Sequence, residues 1–480
     1  MLKTADHLYL QIADQIAQMI DKEVLKFGDK LPSVRTVSKE QGVSLSTAFQ
    51  AYYHLEGKGL IESRPKSGYY VKFCTRRLPP PIPIACEPVK KATEVTVDEM
   101  MNKVIQQITA PDVLNLAMAV PPVAMLPSAK ISKAVIQAMR SMPANGVGYD
   151  PVQGNLLLRR QIARISMLWG GTVTEDDIVT TNGCSDALTL CLGATTRPGD
   201  TIALESPAYY GTLQLAESLG LKVLEVPTHP VTGVDLQYLD TAIPRHKIKA
   251  CLFVTNFNNP LGACMPDRNK QELVRILEKH EIPLIEDDIY GDMYFGKQRP
   301  ALCKTFDKQG YVLLCNSFSK SLAPGYRVGW TIPGRYKDKV MRQKIVHAIS
   351  CSSLPHAAIG HFLENGRYEH HLRQLRTALH TQYLRYVQAI GEYFPEDTRV
   401  NRPQGGFVLW LALPQHVNTY ELLEMALKHK IAFAPGRLFS LQDRYNNCLR
   451  VSYGHPWSKQ VDDALKTLGK LAGKLAQRNN

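Results

Sequence analysis

The hydrophobic positions of this chain follow different periods in its N-terminal and C-terminal parts. From about residue 98, short apolar runs alternate with helical segments, which is typical of an α/β domain with a mostly parallel sheet. The runs cover residues 178–181, 201–204, 222–226, 250–254, 283–286 and 311–315. Before that, apolar residues recur every three or four positions, which predicts an amphipathic helix over residues 8–26. Its apolar positions are Leu8, Ile12, Ile16, Met19, Ile20 and Val24.

The rest of the N-terminal segment predicts a winged helix-turn-helix, a small α+β fold. Gly28 ends the first helix, because glycine is common just past a helix C-terminus. Ser33 and Ser44 are placed as N-caps of a short second helix and of a third helix that runs to about residue 57. Residues 60–64 and 68–73 predict two strands around a turn.

A proline-rich stretch separates the two parts. Prolines at positions 79, 80, 81, 83 and 88 exclude a regular helix or a central strand. The stretch therefore predicts a semi-rigid, extended linker. A docking peptide for a proline-binding domain is the alternative. We divide the chain into a helix-turn-helix domain over residues 1–73, a linker over 74–97 and a large region over 98–480.

Charge and cysteine content bear on partners and on the compartment. The 57 Lys and Arg residues exceed the 44 Asp and Glu residues by 13, which favours an anionic partner such as nucleic acid or, alternatively, a well-solvated basic surface. The ten cysteines and fourteen histidines show no metal-ligand spacing, so no metal site is predicted, and His370 and His371 are expected on the surface. Scattered cysteines, and the lack of a signal peptide or long apolar span, indicate the cytoplasm.

The stretch with the most specific chemistry is 317–330, directly after the apolar run 311–315. Lys320 lies between small hydroxyl residues, and Arg327 follows seven positions later, after Pro324 and Gly325. A lysine amine can form a Schiff base with a carbonyl cofactor. Hydroxyls and a guanidinium can hold a phosphate of the same cofactor. A surface lysine after a strand is the alternative.

Polar motifs also follow four of the other five predicted strands, at the ends where parallel sheets bind their ligands. The motifs lie at 181–188, 205–211, 256–262 and 286–290, and the first of them begins a helix whose N-terminus suits a phosphate. In this order, ahead of Lys320, they resemble the fold-type I aminotransferases, which bind pyridoxal 5'-phosphate. The last third of the chain resembles the small domain of these enzymes, which implies subdomains at about 120–335 and 336–480.

The resemblance implies a role for each matching position. Lys320 carries the cofactor, Asp287 pairs with its ring nitrogen, and Tyr209 stacks on its ring; these three are the predicted catalytic residues. Arg450 binds a substrate carboxylate. Tyr149 reaches the phosphate of a partner subunit, which implies a homodimer. The remaining cofactor-binding residues implied are Gly183, Cys184, Ser185, Ser317, Ser319 and Arg327 for the phosphate, and Asn259 and Tyr290 for the ring hydroxyl.

The N-terminal segment resembles the GntR family of bacterial regulators in its motifs at 28–35, 43–47, 53–61 and 67–68. The resemblance implies binding to double-stranded operator DNA, although a helical dimerisation module is the alternative. One departure is that many relatives carry an arginine in the recognition segment, where this chain has Leu45 and Gln50. The predicted DNA-binding residues are Arg35, Ser44, Ser46, Thr47, Arg64 and Lys66.

Together the two halves resemble the MocR subfamily. This resemblance implies a cytoplasmic transcription regulator that uses pyridoxal 5'-phosphate at Lys320 to sense an amino acid or related amine through aldimine exchange. A second departure is Ala119, in a stretch that carries glycine in many relatives, and its side chain is expected to narrow the pocket. The alternative function is an aminotransferase with genuine turnover, and a third possibility is a regulator that responds to the cofactor itself.

Overall fold

The computed structural model describes residues 5–22, 24–25, 28–57, 60–64, 67–71, 80–82, 91–94, 106 and 112–478. The chain divides into two compact units, one formed by residues 1–78 with 384–392 and the other by 79–383 with 393–480. Most of the predicted linker, and Lys66 on the predicted wing, lie outside the described residues.

The N-terminal unit contains the predicted winged helix-turn-helix. Ser33 Oγ accepts a hydrogen bond from the backbone N–H of Thr36, and Ser44 Oγ accepts one from Thr47, so both predicted N-caps are confirmed. The first helix ends at Asp21, so the prediction that it runs to residue 26 and is ended by Gly28 was wrong. Gly28 has a positive φ of 81°, and its backbone N–H donates to the carbonyl oxygen of Val71. The elements are helices Ala5–Asp21, Val34–Glu40 and Leu45–Gly57, and the antiparallel strands Ile61–Arg64 and Gly68–Val71.

A nine-stranded sheet forms the centre of the second unit. Its five middle strands are parallel, as the alternating pattern predicted, whereas Gly329–Ile332 pairs antiparallel with both neighbours. The strand order is Thr93–Glu94, Lys222–His229, Thr201–Ser206, Ile248–Phe253, Leu284–Asp287, Val312–Ser317, Gly329–Ile332 and Val179–Thr181, with Gly233–Val234 attached to Lys222–His229.

Helices cover both faces of this sheet. On one face, the buried side of Cys184–Thr195 packs on Ile202, Leu252 and Leu313. On the other face, Leu236–His246 and Asp267–Lys279 pack on Leu224 and Phe253. A sheet covered in this way is buried throughout, which explains why its strands are continuous apolar runs. The other described helices of this unit are Ser128–Ser141, Leu156–Ser166, Tyr210–Ser218, Cys303–Phe306, Lys337–Ala348, Ser353–Glu364, Thr419–Leu427 and Lys459–Arg478. The helix Arg367–Tyr393 also belongs to this unit, except for its residues 384–392, which belong to the first.

A smaller antiparallel sheet lies near the C-terminus, so the predicted fold class is confirmed. Its strands, in order, are Arg399–Val400, Val408–Ala412, Cys448–Ser452 and Ala434–Pro435. Next to it, Ile431–Ala432 pairs in parallel with Leu114–Asn115. Within the described part of the chain, no helix is both long and apolar enough to cross a membrane.

One surface expectation was wrong. His371 is buried, and its Nε2 atom lies 2.7 Å from the carbonyl oxygen of Ser321. The neighbouring Tyr368 donates a hydrogen bond to Ser321 Oγ at 2.8 Å. The helix Arg367–Tyr393 thus contacts Ser321, the residue next to Lys320. Two adjacent histidines are typical of an exposed position, so the sequence did not indicate this packing.

Candidate functional site

A cavity of about 380 Å³ lies at the carboxyl ends of the parallel strands. This volume is within the range of small-molecule sites. The strands Thr201–Ser206, Leu284–Asp287 and Val312–Ser317 end beside it, so motifs that are far apart in sequence meet there. The predicted residues that line it are Cys184, Ser185, Tyr209, Asn259, Asp287, Tyr290, Ser319, Lys320 and Arg327.

Lys320 presents its amine to this cavity. The amine donates a hydrogen bond to the carbonyl oxygen of Ala119 at 2.8 Å and lies 5.9 Å from the centroid of the Tyr290 ring. Burial, and then the positive charge of Arg450, lower the pKa of Lys320 to about 8. A substantial share of the amine is therefore neutral near physiological pH, which is the form that attacks a carbonyl carbon.

The N-terminus of the helix Cys184–Thr195 lies beside the side chain of Arg327, and we call the two together the anion cradle because both groups favour an anion. Gly183 has a φ of 91°, and a Cβ atom at this position would lie 2.5 Å from Arg327 Nη2. Only glycine leaves room for the guanidinium there. Arg327 Nη1 donates to Ser319 Oγ at 3.3 Å, and Ser317 Oγ accepts from the backbone N–H of Ser319 at 3.3 Å. Ser317 thus holds the loop, while Ser319 and Arg327 face the cavity.

Asp287 is the carboxylate of the cavity. Its Oδ1 atom accepts hydrogen bonds from the backbone N–H of Ile289 at 3.1 Å and from the thiol of Cys184 at 3.3 Å. Burial raises the pKa of Asp287 to about 6, while these two hydrogen bonds lower it. The side chain is therefore mostly ionised at neutral pH, and it would pair with a protonated ring nitrogen.

Arg450 lies beside the same cavity and is 1% exposed. It donates from Nη1 to Asn259 Oδ1 at 2.6 Å and from Nη2 to the carbonyl oxygen of Ala117, while its Nε atom has no hydrogen-bond partner within the described residues. Asn259 Nδ2 in turn donates to Tyr290 Oη at 3.4 Å. The guanidinium has no carboxylate partner among the described residues, so it could bind the carboxylate of a ligand.

Tyr209 and Tyr149 are placed differently. The Tyr209 ring lines the cavity, with its centroid 4.5 Å from that of Tyr210, and burial raises the pKa of its hydroxyl. Tyr149 is 84% exposed and does not line the cavity. Its predicted contact with a partner subunit stays a prediction.

Sequence reasoning missed two features of the cavity. Glu205 is buried there, its carboxyl accepts from the backbone N–H of Val254 at 3.0 Å, and burial raises its pKa to about 8. It is therefore mostly neutral at pH 7; its place before Ser206 at the end of a strand was the available signal. The second feature is that the backbone carbonyls of Ala119 and Ala117 accept hydrogen bonds from Lys320 and Arg450, whereas Ala119 is not among the residues that line the cavity.

The predicted DNA-binding residues lie on the N-terminal unit. Ser44 Oγ is 2.8 Å from both Ser46 Oγ and Thr47 Oγ1, so three hydroxyls cluster at the start of the helix Leu45–Gly57. Arg35 is exposed on the preceding helix. On the wing, the Arg64 guanidinium forms an ion pair with Glu62 at 2.8 Å and lies 4.3 Å from the centroid of the Tyr70 ring.

Comparison with known proteins agrees with both halves of this description. The family model "Aminotransferase class I and II" matches residues 111–468, and "Bacterial regulatory proteins, gntR family" matches residues 8–71. Two uncharacterized HTH-type transcriptional regulators of Escherichia coli are similar along nearly their whole length. YjiR is 39% identical over 96% of this chain and 98% of its own, and YdcR is 36% identical over the same shares.

A solved structure is similar to the second unit. LysN, the α-aminoadipate aminotransferase of Thermus thermophilus, was solved in complex with N-(5'-phosphopyridoxyl)-L-leucine. The match has a TM-score of 0.71 and 25% identity over 78% of this chain and 97% of that one. Pyridoxal 5'-phosphate is the cofactor of this aminotransferase family.

The residues of the cavity fit this cofactor. The glycine-lined cradle at Gly183 and Arg327 would hold the phosphate, Asp287 would hold the ring nitrogen, and Lys320 would hold the aldehyde carbon. The cofactor, when bound, supplies an electrophilic carbon and an electron-withdrawing ring. Within the described residues, no group of three or more His, Cys, Asp or Glu side chains is placed to hold a metal ion.

Proposed function

This chain belongs to the MocR subfamily of GntR-type regulators, and on that premise we propose that it senses an amino acid or a related amine at pyridoxal 5'-phosphate held by Lys320. The ligand amine replaces the Lys320 amine at the cofactor, and its occupancy changes the affinity of the winged helix-turn-helix for operator DNA. The regulator acts as a homodimer in the cytoplasm, with Tyr149 completing the site of the partner subunit.

The observation that carries this proposal is the buried guanidinium of Arg450 close to Lys320. Arg450 is 1% exposed, and its Nε atom has no partner among the residues that the structure describes, which is costly for a buried cation unless a ligand supplies an acceptor. A ligand carboxylate meets that need with two parallel hydrogen bonds. The site therefore favours α-amino acids over amines that lack a carboxylate.

The same contacts suggest how occupancy is detected. Lys320 donates to the carbonyl of Ala119 and Arg450 donates to the carbonyl of Ala117, so both ligand-binding groups hold one short segment. A ligand that engages both groups competes with these two hydrogen bonds. Release of residues 117–119 then favours a different conformation of the protein, because a ligand shifts a population only through contacts that differ between states.

The alternative function is transamination with genuine turnover. The low pKa of Lys320, the buried carboxylate of Asp287 and the aromatic ring of Tyr209 suit proton transfer at a cofactor as well as ligand capture. The DNA-binding unit favours the regulator, since YjiR and YdcR match both units of the chain.

One paired measurement separates the two functions. The full-length protein, loaded with pyridoxal 5'-phosphate, is titrated with a panel of amino acids while its visible absorbance and its affinity for a selected operator are followed. For a regulator, one amino acid perturbs the absorbance and changes operator affinity without release of a 2-oxo acid. Robust 2-oxo acid production without any DNA binding would establish the enzyme instead.

Arginine-to-lysine variants test whether Arg450 binds the carboxylate of the ligand. Arg450→Lys keeps the charge but loses the paired donors, so the effective amino acid should bind at least about tenfold more weakly. The corresponding decarboxylated amine should bind the variant and the parent equally. Arg402→Lys, at an exposed position of the same unit, is the control and should change neither affinity. Equal loss for amino acid and amine would refute the carboxylate role.

A further inference from the structure

The outward face of the helix Leu45–Gly57 carries an apolar row. Leu45, Phe49 and Tyr53 are 55%, 51% and 70% exposed, and their spacing of four residues places them in line along the helix. The opposite face is fully buried through Ala48, Ala51, Tyr52 and Leu55. Three large apolar side chains in one exposed line are a feature of interaction surfaces rather than of solvated faces.

The polar groups of this helix narrow the choice of partner. Residues 45–57 contain no lysine or arginine, so the helix lacks the side chains that read guanine bidentately. At the N-terminus of the helix, the Ser44 hydroxyl forms hydrogen bonds with the hydroxyls of Ser46 and Thr47. Apart from Ser46, the exposed side chains here are the apolar row and Gln50, whose amide can pair with adenine N6 and N7.

The cations that the structure describes in this unit lie on elements other than the helix Leu45–Gly57. Arg35 and Lys39 are exposed on the helix Val34–Glu40, and Arg64 lies on the wing strand Ile61–Arg64. The helix Leu45–Gly57 carries no cation, and its one carboxylate, Glu56, lies at its C-terminal end and accepts a hydrogen bond from the backbone N–H of Ser63. A helix without cations, between elements that carry them, is complementary to a DNA groove, whose floor is made of bases and whose borders are phosphates.

We propose that Leu45, Phe49 and Tyr53 dock in the DNA major groove against the C5-methyl groups of thymines, with Gln50 on an adjacent adenine. This inference rests on the proposed DNA-binding function and specifies its operator: the base pairs that face this helix are A·T pairs. Thymine is the base that presents a methyl group in the major groove, and apolar side chains recognise it there.

Uracil substitution tests the proposal at single methyl groups. The full-length protein selects its site from random duplexes, and thymines of the selected half-site are then replaced by deoxyuracil, which pairs identically but lacks the methyl. Each replacement under the helix should weaken binding about fourfold, the effect of burying one methyl-sized group. Phe49→Ala and Leu45→Ala should weaken binding to the thymine site and remove the sensitivity to uracil at the contacted position.

A variant of the first helix is the control for the thymine contacts, and several outcomes would contradict the proposal. Met19→Ala removes an exposed apolar side chain of the first helix and should leave both affinity and uracil sensitivity unchanged. A selected half-site read at G·C pairs, or uracil duplexes bound as tightly as thymine duplexes, would overturn the proposal while leaving the regulator intact. Failure of the parent protein to select any sequence would overturn both. An effect of Phe49→Ala on oligomeric state, with DNA binding unchanged, would assign the row to a protein interface instead.

Discussion

The thiol of Cys184 donates a hydrogen bond to Oδ1 of Asp287 across 3.3 Å, joining the first residue of one helix to the last residue of the strand Leu284–Asp287. Burial raises the pKa of Cys184, so the thiol stays protonated and remains a donor. The hydrogen bond stabilises the ionised form of Asp287, whose own burial acts in the opposite direction. Cys184 therefore favours the charged form of Asp287, the form that a cationic ring nitrogen of the cofactor would pair with.

Replacement of this thiol should make cofactor affinity depend more strongly on pH. In Cys184→Ala the pKa of Asp287 rises above its present value of about 6, so a smaller fraction is ionised at pH 6.5. We expect pyridoxal 5'-phosphate to bind about fivefold more weakly at pH 6.5, the effect of one hydrogen bond, and the deficit to shrink at pH 8.5. Equilibrium binding at the two pH values measures this. Cys184→Ser keeps a donor and should behave like the parent; a serine variant as weak as the alanine variant would contradict the prediction.

The lowered pKa of Lys320 predicts the pH dependence of cofactor attachment. The neutral amine is the nucleophile, so the attachment rate should rise about tenfold per pH unit up to pH 8 and level off above it. Borohydride trapping at timed intervals between pH 6.5 and 9.5, followed by mass spectrometry of the labelled peptide, gives the profile.

Two variants check the cause of this profile. Arg450 contributes to lowering the pKa of Lys320, so Arg450→Gln should raise that pKa and move the plateau to higher pH. Lys320→Ala should give no trapped product. A rate that climbs steadily through pH 9.5 in the parent protein would mean that Lys320 titrates like an exposed lysine.

Gly183 offers a test of the anion cradle with a matched control. Gly183→Ala places a methyl group 2.5 Å from Arg327 Nη2 and should weaken pyridoxal 5'-phosphate binding by about tenfold or more, since a charged hydrogen bond is displaced. Pyridoxal, which lacks the phosphate, should lose little. Gly199 has nearly the same φ, 89° against 91°, but no atom of the described part of the chain lies within 4 Å of its added methyl. Gly199→Ala should therefore leave both affinities unchanged, and equal losses for both ligands in Gly183→Ala would argue against a phosphate site.

The buried ion pairs of Arg299 predict a large effect on stability. Arg299 is 4% exposed and bridges Asp288 and Asp292. Arg299→Ala leaves two carboxylates without their cation and should lower the free energy of unfolding by about 3–5 kcal/mol. Arg275, which pairs with Glu272 on the surface, is the control, and Arg275→Ala should not change the unfolding midpoint measurably. Urea unfolding followed by circular dichroism distinguishes the two; similar midpoints would show that the Arg299 site is hydrated.

Much of the candidate site was predictable because its residues follow strands. Once Thr201–Ser206, Leu284–Asp287 and Val312–Ser317 lie in one parallel array, the residues after them must meet at one edge. Tyr209, Asp287 and Lys320 are brought together for that reason. The two capped helices of the N-terminal unit were predictable in the same way, because an N-cap is a local interaction between residues three apart.

The amino-acid sequence by itself therefore determined the order of the main elements, the two kinds of domain and most of the polar residues that line the cavity. Only the tertiary structure decided that the Ala117 carbonyl accepts a hydrogen bond from Arg450, 333 residues away. It also decided that Glu205 is mostly neutral at pH 7 and that His371 is buried against Ser321. Periodicity reports which side of an element is buried, but it carries no information about which distant backbone atom fills the space opposite. The hydrogen bonds and pKa values of the site depend on which distant backbone atoms lie beside each side chain, and only the tertiary packing determines this.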